Sequence, residues 1–192
     1  MKRIIVILAA LMLSSAAFGQ KADGYGIPTN SINIQASDGL GETFMAGLVM
    51  AFAQTARAIF KQDQNEEITG WKPFMSAGYD YHFADTRWIV GGEAGYWNIG
   101  VRNKETGNTR YSHVATLAAT SKIFYKPGGS FKLYGGVNLG VGVASGSGDD
   151  SFFPAFQVNP IGMRWGSEKV AFVLELGVGY RGIIQTGINI GL

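Results

Sequence analysis

A strict alternation of side chains marks residues 131–143. Phe, Leu and Val fill one set of alternate positions, with Gly135 as the exception, and Lys, Tyr, Asn and Gly fill the other set. Successive side chains of a β-strand point to opposite faces, so this pattern predicts a strand with one apolar face and one polar or small face. Transmembrane barrels use such strands, because lipid lies on the outside and a polar lumen on the inside.

The same period of two recurs along the chain. It is clear in residues 71–83, 169–179 and 184–192 and weaker elsewhere. The predicted strands are 31–37, 71–83, 88–101, 111–125, 131–143, 152–165, 169–179 and 184–192. Pro160 predicts a bulge in the sixth of them, because proline cannot donate to the ladder. The fold class is therefore all-β, an eight-stranded antiparallel up-and-down transmembrane β-barrel.

The connections between these strands alternate in length. Long links fall at 38–70, 102–109 and 144–151, and short ones fall at 84–86, 127–130 and 166–168. Outer-membrane barrels have long external loops and short periplasmic turns. The last link, 180–182, should be external but is short. Aromatic residues near the short turns predict a periplasmic girdle of Tyr79, Tyr81, Phe83, Trp88, Phe124, Tyr125, Phe131 and Trp165.

Residues 42–60 do not resemble a strand. They are rich in Ala, Met, Leu and Phe, and a polar run follows them at 61–67. This composition predicts one helix inside the first long loop. The helix is apolar nearly all round, so it should be covered by the barrel mouth, by lipid headgroups or by a partner.

The N-terminus has the pattern of a secretory signal. Lys2 and Arg3 precede an apolar stretch at 4–13 and small residues at 14–17. The domain organisation is then a signal peptide at 1–19 and an outer-membrane barrel domain at 20–192. An uncleaved anchor is the alternative, but ten apolar residues fall short of the roughly 20 that span a bilayer.

Charge and cysteine content exclude several classes of protein. Cleavage would remove two basic residues, and 16 minus 2 leaves 14 basic against 14 acidic residues. A neutral chain lacks the basic surface of a nucleic-acid binder. There is no cysteine, so a lipid-tethering cysteine and disulfides are excluded.

No catalytic, cofactor-binding or metal-binding residue is assigned. Ser112 and His113 suggest a serine hydrolase, but neighbours on a strand point to opposite faces. Asp80 and His82 share a face, where structural packing is the favoured interpretation over acid-base chemistry. The glycine run at 140–148 lacks the lysine of a phosphate loop, and 146–151 does not match the ligand spacing of a calcium loop.

Charged residues are nevertheless predicted inside the barrel. The expected inward set, besides Asp80, is Lys72, Glu93, Lys122, Lys132, Arg164 and Glu175. An eight-stranded barrel is just wide enough for side chains to fill, and buried charges need partners. The sequence therefore predicts a salt-bridged plug rather than a pore, with Glu93 and Glu175 near mid-height.

The C-terminal third carries a family resemblance. Asn-Pro-Ile-Gly-Met-Arg at 159–164 and Leu-Glu-Leu-Gly-Val-Gly-Tyr-Arg-Gly-Ile at 174–183 are similar to the closing hairpin of an outer-membrane β-barrel family widespread in Bacteroidota. The first strand followed by a helical insert extends the resemblance over the mature chain. Most members of that family lack an assigned activity, so the resemblance implies fold and location but no functional residues. Leu192 departs from the terminal aromatic that such barrels often carry.

The function predicted from the sequence is a non-enzymatic barrel in the cell outer membrane, with a structural or surface-interaction role and a non-conducting lumen. Its expected partners are outer-membrane lipid, the barrel-assembly machinery and an extracellular partner bound through the loops; it should be a monomer. One alternative is a lipid-modifying outer-membrane enzyme. Another is a soluble periplasmic barrel carrying an apolar ligand, which would need an apolar interior.

Overall fold

The computed structural model describes residues 26–38, 66–69, 72–126, 129–145 and 150–192. These residues contain β-strands and no helix. The strands are β1 (Asn30–Ser37), β2 (Glu66–Thr69), β3 (Phe74–His82), β4 (Trp88–Asn103), β5 (Thr109–Lys126), β6 (Phe131–Ser145), β7 (Ser151–Gly166), β8 (Val170–Gly179) and β9 (Ile184–Gly191). The predicted signal peptide and the predicted helix at 42–60 lie outside the described residues.

Eight of these strands form a closed antiparallel barrel, as the sequence predicted. β1 pairs with β3, each later strand pairs with the next one along the chain, and β9 returns to pair with β1. Ile32 stands opposite Ile190 at this closing seam. Every strand of the barrel therefore has a neighbour on both sides.

The sequence patterns did not predict β2, because its residues lie inside the link at 38–70. It pairs with Gly100–Asn103 of β4, above the point at which β3 leaves β4 at Met75. The four strands β4 to β7 have 15 to 18 residues, whereas β1, β3, β8 and β9 have 8 to 10. The wall is therefore higher on one side. We call this upper edge the loop end and the opposite edge the short-turn end.

The outward face of the barrel is apolar. Its exposed large side chains include Ile34, Met75, Val90, Leu117, Val137, Leu139, Val141, Phe156, Val158, Phe172, Ile184 and Ile188. Among the described outward positions of the eight barrel strands, Arg102 at the loop end of β4 carries the sole Lys, Arg, Asp or Glu side chain. This polarity is the reverse of a water-soluble barrel.

The inward face is polar and close-packed. Its buried polar side chains include Ser31, Asn33, Gln35, Ser76, Asp80, Glu93, Thr120, Lys122, Asn138, Gln157, Asn159, Glu175 and Gln185. Glycines make room for large inward rings: a Cβ added to Gly162 would overlap the Tyr134 ring, and one added to Gly95 would overlap Phe74. Large inward side chains thus fill the lumen at positions where a glycine on a neighbouring strand leaves space for them.

An apolar cluster lies inside the barrel at the short-turn end. Ile27, from the segment preceding β1, packs with the buried residues Ile89, Phe124, Tyr134 and Val173. The segment is fixed in place by the His82 backbone N–H, which donates to the Thr29 carbonyl at 2.8 Å. Phe124 was predicted to belong to the outer girdle. That prediction is wrong, because its neighbour Tyr125 takes the outward position and Phe124 shares the inward face with Lys122.

Pro160 produces the bulge that the sequence predicted. The register between β7 and β8 shifts between Val158 and Ile161, and the β6–β7 register shifts at Tyr134 and Gly136 on the other side. The bulge keeps Asn159 inward on one side of the proline and Gly162 inward on the other. Alternation of the two faces therefore continues through the irregularity.

No helix long and apolar enough to cross a membrane occurs among the described residues.

Candidate functional site

Five charged side chains meet near the middle of the lumen. Asp80 comes from β3, Glu93 from β4, Lys122 from β5 and Glu175 from β8, while Arg181 comes from the turn between β8 and β9. All five are buried. We call this group the lumen network.

Glu175 lies at the centre of the lumen network and is fully buried. One of its oxygens, Oε2, lies 2.5 Å from Arg181 Nη2, and the other, Oε1, lies 3.8 Å from Lys122 Nζ. Lys122 reaches Asp80 Oδ2 at 2.8 Å, and Arg181 Nη1 reaches Glu93 Oε2 at 2.6 Å. A single chain of ion pairs therefore runs across the lumen from Asp80 to Glu93.

Neutral side chains also donate hydrogen bonds to Glu175 and Glu93. Tyr134 donates its hydroxyl to Glu175 Oε1 at 2.7 Å, and Asn159 Nδ2 donates to Oε2 at 3.0 Å. Tyr180 donates to Glu93 Oε1 at 2.8 Å. Buried charges lose much of their hydration, so these extra hydrogen bonds offset part of a cost that ion pairing alone does not cover.

Asp80 and Arg181 also have neutral partners. Asp80 accepts hydrogen bonds from Asn33 Nδ2 at 2.6 Å and from the Thr120 hydroxyl at 3.3 Å. Arg181 Nη1 donates to Gln35 Oε1 at 2.6 Å. The bonds from Asn33 and to Gln35 connect the network to β1, and Arg181 Nη2 donates to Gln185 Oε1 of β9 at 3.4 Å, so both strands of the closing seam are tied to it.

The β8–β9 turn is held so that Arg181 points into the lumen. The Arg181 backbone N–H donates to Gln157 Oε1 at 3.0 Å, and Gln157 and Gln185 both donate to the Gly182 carbonyl at 3.1 Å. Gly182 has φ of 93°, which glycine adopts at low cost. The turn is thus fixed by side chains of two strands.

The environment of this turn shifts two pKa values. Burial alone would lower the pKa of Arg181, but the carboxylates of Glu175 and Glu93 outweigh it and raise that pKa above its ordinary value. Burial raises the pKa of Tyr180, and the nearby Glu93 carboxylate adds to the effect. Arg181 therefore stays charged and Tyr180 stays protonated, so the tyrosine remains a donor to Glu93.

The lumen network crosses the middle of the barrel. Three carboxylates and two cations leave a formal charge of one negative unit (2 − 3 = −1). Above it, the Tyr180 ring meets the inward Phe74 ring edge-on at 5.7 Å. Below it lies the apolar cluster around Ile27. The described lumen is thus occupied in three successive layers.

No family model and no curated protein matches this chain.

The structure places most of the sequence-predicted lumen residues inside the barrel. Glu93, Lys122 and Glu175 converge as expected. Lys132 and Arg164 also point inward, but near the short-turn end, where Lys132 Nζ donates to the Gly129 carbonyl at 2.5 Å and Arg164 Nη2 to the Ser167 carbonyl at 2.8 Å.

Lys72 was predicted to point into the lumen, and that prediction is wrong. It precedes β3, where strand alternation no longer fixes its direction, and its exposed side chain reaches Asn98 Oδ1 at 3.3 Å. Arg181 was missed because it lies in a turn, where alternation says nothing. The one sequence feature that could have identified Arg181 is that it is the single charged residue in 180–182, the shortest link at the loop end.

Ser112 and His113 are separated by the wall. Ser112 is buried on the inward face and His113 is exposed on the outward face, as expected for adjacent strand residues. Asp80 and His82 are both buried on the inward face, also as predicted. Asp80 belongs to the lumen network, whereas the His82 ring contacts the Thr86 carbonyl at 2.8 Å.

Proposed function

We propose that this protein is a non-enzymatic β-barrel of the outer membrane, with a structural or surface-interaction role and a lumen that does not conduct ions. The observation that carries the proposal is the reversed polarity of the wall. Exposed Leu, Val, Ile and Phe side chains surround the outside, while the ion pairs and hydrogen-bonded amides lie inside. Lipid is the solvent in which this arrangement is stable.

The dimensions of the strands support membrane insertion. A spanning strand needs about 9 to 11 residues when it is tilted. The shorter barrel strands, with 8 to 10 residues, approach this length, and the longer ones, with 15 to 18, exceed it. The longer strands would then project beyond the bilayer at the loop end.

Aromatic side chains support the same orientation. Near the short turns, a set of outward rings is exposed: Phe83, Trp88, Tyr125, Phe131 and Trp165. Tyr and Trp concentrate at membrane interfaces, where one end of the side chain is apolar and the other is hydrated. This set of aromatic residues lies at the periplasmic boundary of the bilayer if the long loops face the cell exterior.

A bare apolar wall would be unfavourable in water. Soluble monomers rarely expose a continuous apolar patch larger than a few hundred Å². Heat-modifiable migration on a gel after detergent extraction, together with membrane fractionation, tests insertion. Recovery of the folded protein in the soluble periplasmic fraction would overturn the proposal.

The lumen network supports a closed barrel. Ion flow would require separation of Arg181 from Glu93 and Glu175, which leaves buried charges unpaired. We expect no stable open state in planar bilayers. Arg181→Ser should raise the frequency of conductance events, whereas the exposed turn variant Arg87→Ser should not. A sizeable, stable open state of the wild-type protein would contradict a plugged lumen.

The loops are the part of this barrel suited to an extracellular partner, since loops on a rigid scaffold commonly carry binding. Protease treatment of intact cells should cut within 102–109 or 144–151. Protection of both segments in intact cells, with cleavage after permeabilisation, would count against surface display. Export by a signal at 1–19, assembly by the insertion machinery, a monomeric state and membership of the Bacteroidota barrel family belong to the same proposal.

The alternatives fit the structure less well. A soluble carrier of an apolar ligand needs an apolar interior, but the described lumen holds charges and amides. A lipid hydrolase built on Ser112 and His113 would need both groups on one side of the wall. Within the part of the chain that the structure describes, neither alternative has a specific observation in its favour.

A further inference from the structure

One corner of the outer wall is polar, near the loop end of β3, β4 and β5. We call it the outer corner and define it as Lys72, Tyr96, Asn98, Tyr111 and His113. Four of these residues line up on β4 and β5, where Asn98 stands opposite His113 and Gly100 stands opposite Tyr111. The rest of the outward face is almost free of charge, so a lysine held on it requires an explanation.

The outer corner is held together by a chain of contacts. Lys72 Nζ donates to Asn98 Oδ1 at 3.3 Å and lies 6.0 Å from the centre of the Tyr111 ring. The backbone of Lys72 is fixed in turn, because Trp97 Nε1 donates to its carbonyl at 2.7 Å. The ammonium group is thus positioned over the wall rather than free in a loop.

Two neighbours contact one nitrogen of the His113 ring. Tyr96 Oη lies 2.6 Å and Asn98 Nδ2 lies 3.1 Å from His113 Nδ1. The donor or acceptor role of Nδ1 depends on the tautomer of the ring. In the neutral tautomer whose Nδ1 accepts, Nε2 carries the proton and is the donor for a ligand.

A cleft of about 350 Å³ lies beside these groups. Lys72, Pro73, Met75, Tyr96 and Asn98 line it. Lys72, Tyr96 and Asn98 of the outer corner form its polar side, and Met75 forms its apolar side. Below Met75 on the outward face lie Ala77 and Ala94, which pair across β3 and β4. The cleft therefore offers a cation above and an apolar surface below.

The height of the outer corner matches the position of lipid headgroups. Asn98 lies ten residues above Trp88 on β4, and Trp88 is exposed near the short-turn end. At about 3.3 Å per residue and a tilt of about 40°, ten residues rise roughly 25 Å along the barrel axis, the usual height of the apolar band. The corner then lies at the upper edge of that band.

We propose that the outer corner binds the anionic phosphate of a membrane lipid headgroup, with Lys72 and the Nε2–H of His113 as its donors and the acyl chain lying along the wall below. Charge-assisted hydrogen bonds from an ammonium group to a phosphate are the strongest contacts this corner can make. The inference rests on the proposed membrane location, and it names the lipid that this part of the wall recognises.

The test uses the mature chain refolded in a neutral detergent. Native mass spectrometry measures binding of dimyristoyl phosphatidic acid, of dimyristoyl phosphatidylcholine and of inorganic phosphate. We expect phosphatidic acid to bind at least about tenfold more tightly than phosphatidylcholine, and inorganic phosphate to bind far more weakly than either lipid. If inorganic phosphate bound as tightly as phosphatidic acid, the outer corner would recognise free phosphate rather than a lipid, and the proposal would be overturned.

Matched variants locate the site. Lys72→Gln should reduce the preference for phosphatidic acid about tenfold, and His113→Ala should reduce it by a smaller factor. Lys104→Gln removes the same charge from an exposed turn at the loop end and should leave the preference unchanged. An equal effect of Lys72→Gln and Lys104→Gln would overturn the outer corner as the site.

Flotation of each refolded sample with lipid vesicles separates this inference from the function on which it rests. A barrel that inserts into lipid but shows no preference for phosphatidic acid contradicts the headgroup site alone. A chain that does not insert contradicts the membrane location, and the headgroup site with it.

Discussion

The inward and outward faces of β6 show how differently one wall treats neighbouring residues. Asn138 points inward and is 1% exposed, whereas Leu139 points outward and is 65% exposed. In a water-soluble barrel the leucine would be inside and the amide outside. This distribution is the one that the proposed membrane location requires, because polar side chains then face the lumen and apolar side chains face lipid.

The inward face should respond most strongly to loss of a charge. Arg181→Met leaves the buried Glu93 without its cation and Glu175 with Lys122 alone, and we expect it to lower the free energy of unfolding by about 3–5 kcal/mol. Urea unfolding of the barrel in lipid vesicles, followed by tryptophan fluorescence, measures the change. Arg87→Met makes the same replacement in an exposed turn and should cost less than about 0.5 kcal/mol. Equal losses in the two variants would show that the lumen network does not stabilise the fold.

The outward face should respond to an added charge according to depth. Leu139→Lys puts an ammonium group at mid-height on the outward face, and we expect a cost of about 2–4 kcal/mol in vesicles. Phe131→Lys, at the short-turn end of the same strand, should cost about 0–1 kcal/mol beyond the loss of its ring contacts. In a protein surrounded by water, a lysine at the exposed position 139 would be tolerated. If Leu139→Lys left the free energy of unfolding unchanged, the proposed difference between the two faces would therefore be contradicted.

Replacing glycine with alanine on the two faces should show the same contrast, with smaller changes in the free energy of unfolding. Gly162→Ala directs a methyl group into the inward Tyr134 ring, which its hydrogen bond to Glu175 prevents from moving freely. We expect a loss of about 1–3 kcal/mol in urea unfolding. Gly92→Ala adds the same methyl group on the outward face, where its nearest neighbour is a backbone oxygen 3.8 Å away. That change should stay within about 0.5 kcal/mol, and a larger loss at Gly92 than at Gly162 would contradict close packing of the lumen.

The strands and their faces were predictable because both depend on local periodicity. Alternation in 131–143 and 169–179 identified β6 and β8 nearly to the residue. Alternation in 111–125 and 169–179 placed Lys122 and Glu175 inside. Alternation ends where strands end, so it misplaced Lys72 and said nothing about Arg181. The short strand β2 carries too few residues to show a period, and its pairing with β4 is a long-range contact that sequence spacing does not reveal.

The lumen network shows the same limit. Glu93 and Glu175 were expected near mid-height from residue counting, which follows from strand geometry alone. Their common cation comes from a turn that folds back into the barrel, and this depends on side-chain bonds from Gln157 and Gln185. Such a turn conformation cannot be read from the period of the strands.

Site-directed spin labelling tests the lipid-facing wall most directly, because the chain has no native cysteine to remove. Labels at Val137→Cys, Leu139→Cys and Val141→Cys, in protein reconstituted into lipid bilayers, report collisions with oxygen and with a water-soluble nickel chelate. We expect high oxygen access and little nickel access at all three, with the reverse at Thr106→Cys in the exposed turn between β4 and β5. Nickel access at Leu139→Cys equal to that at Thr106→Cys would contradict a barrel whose outer wall faces lipid.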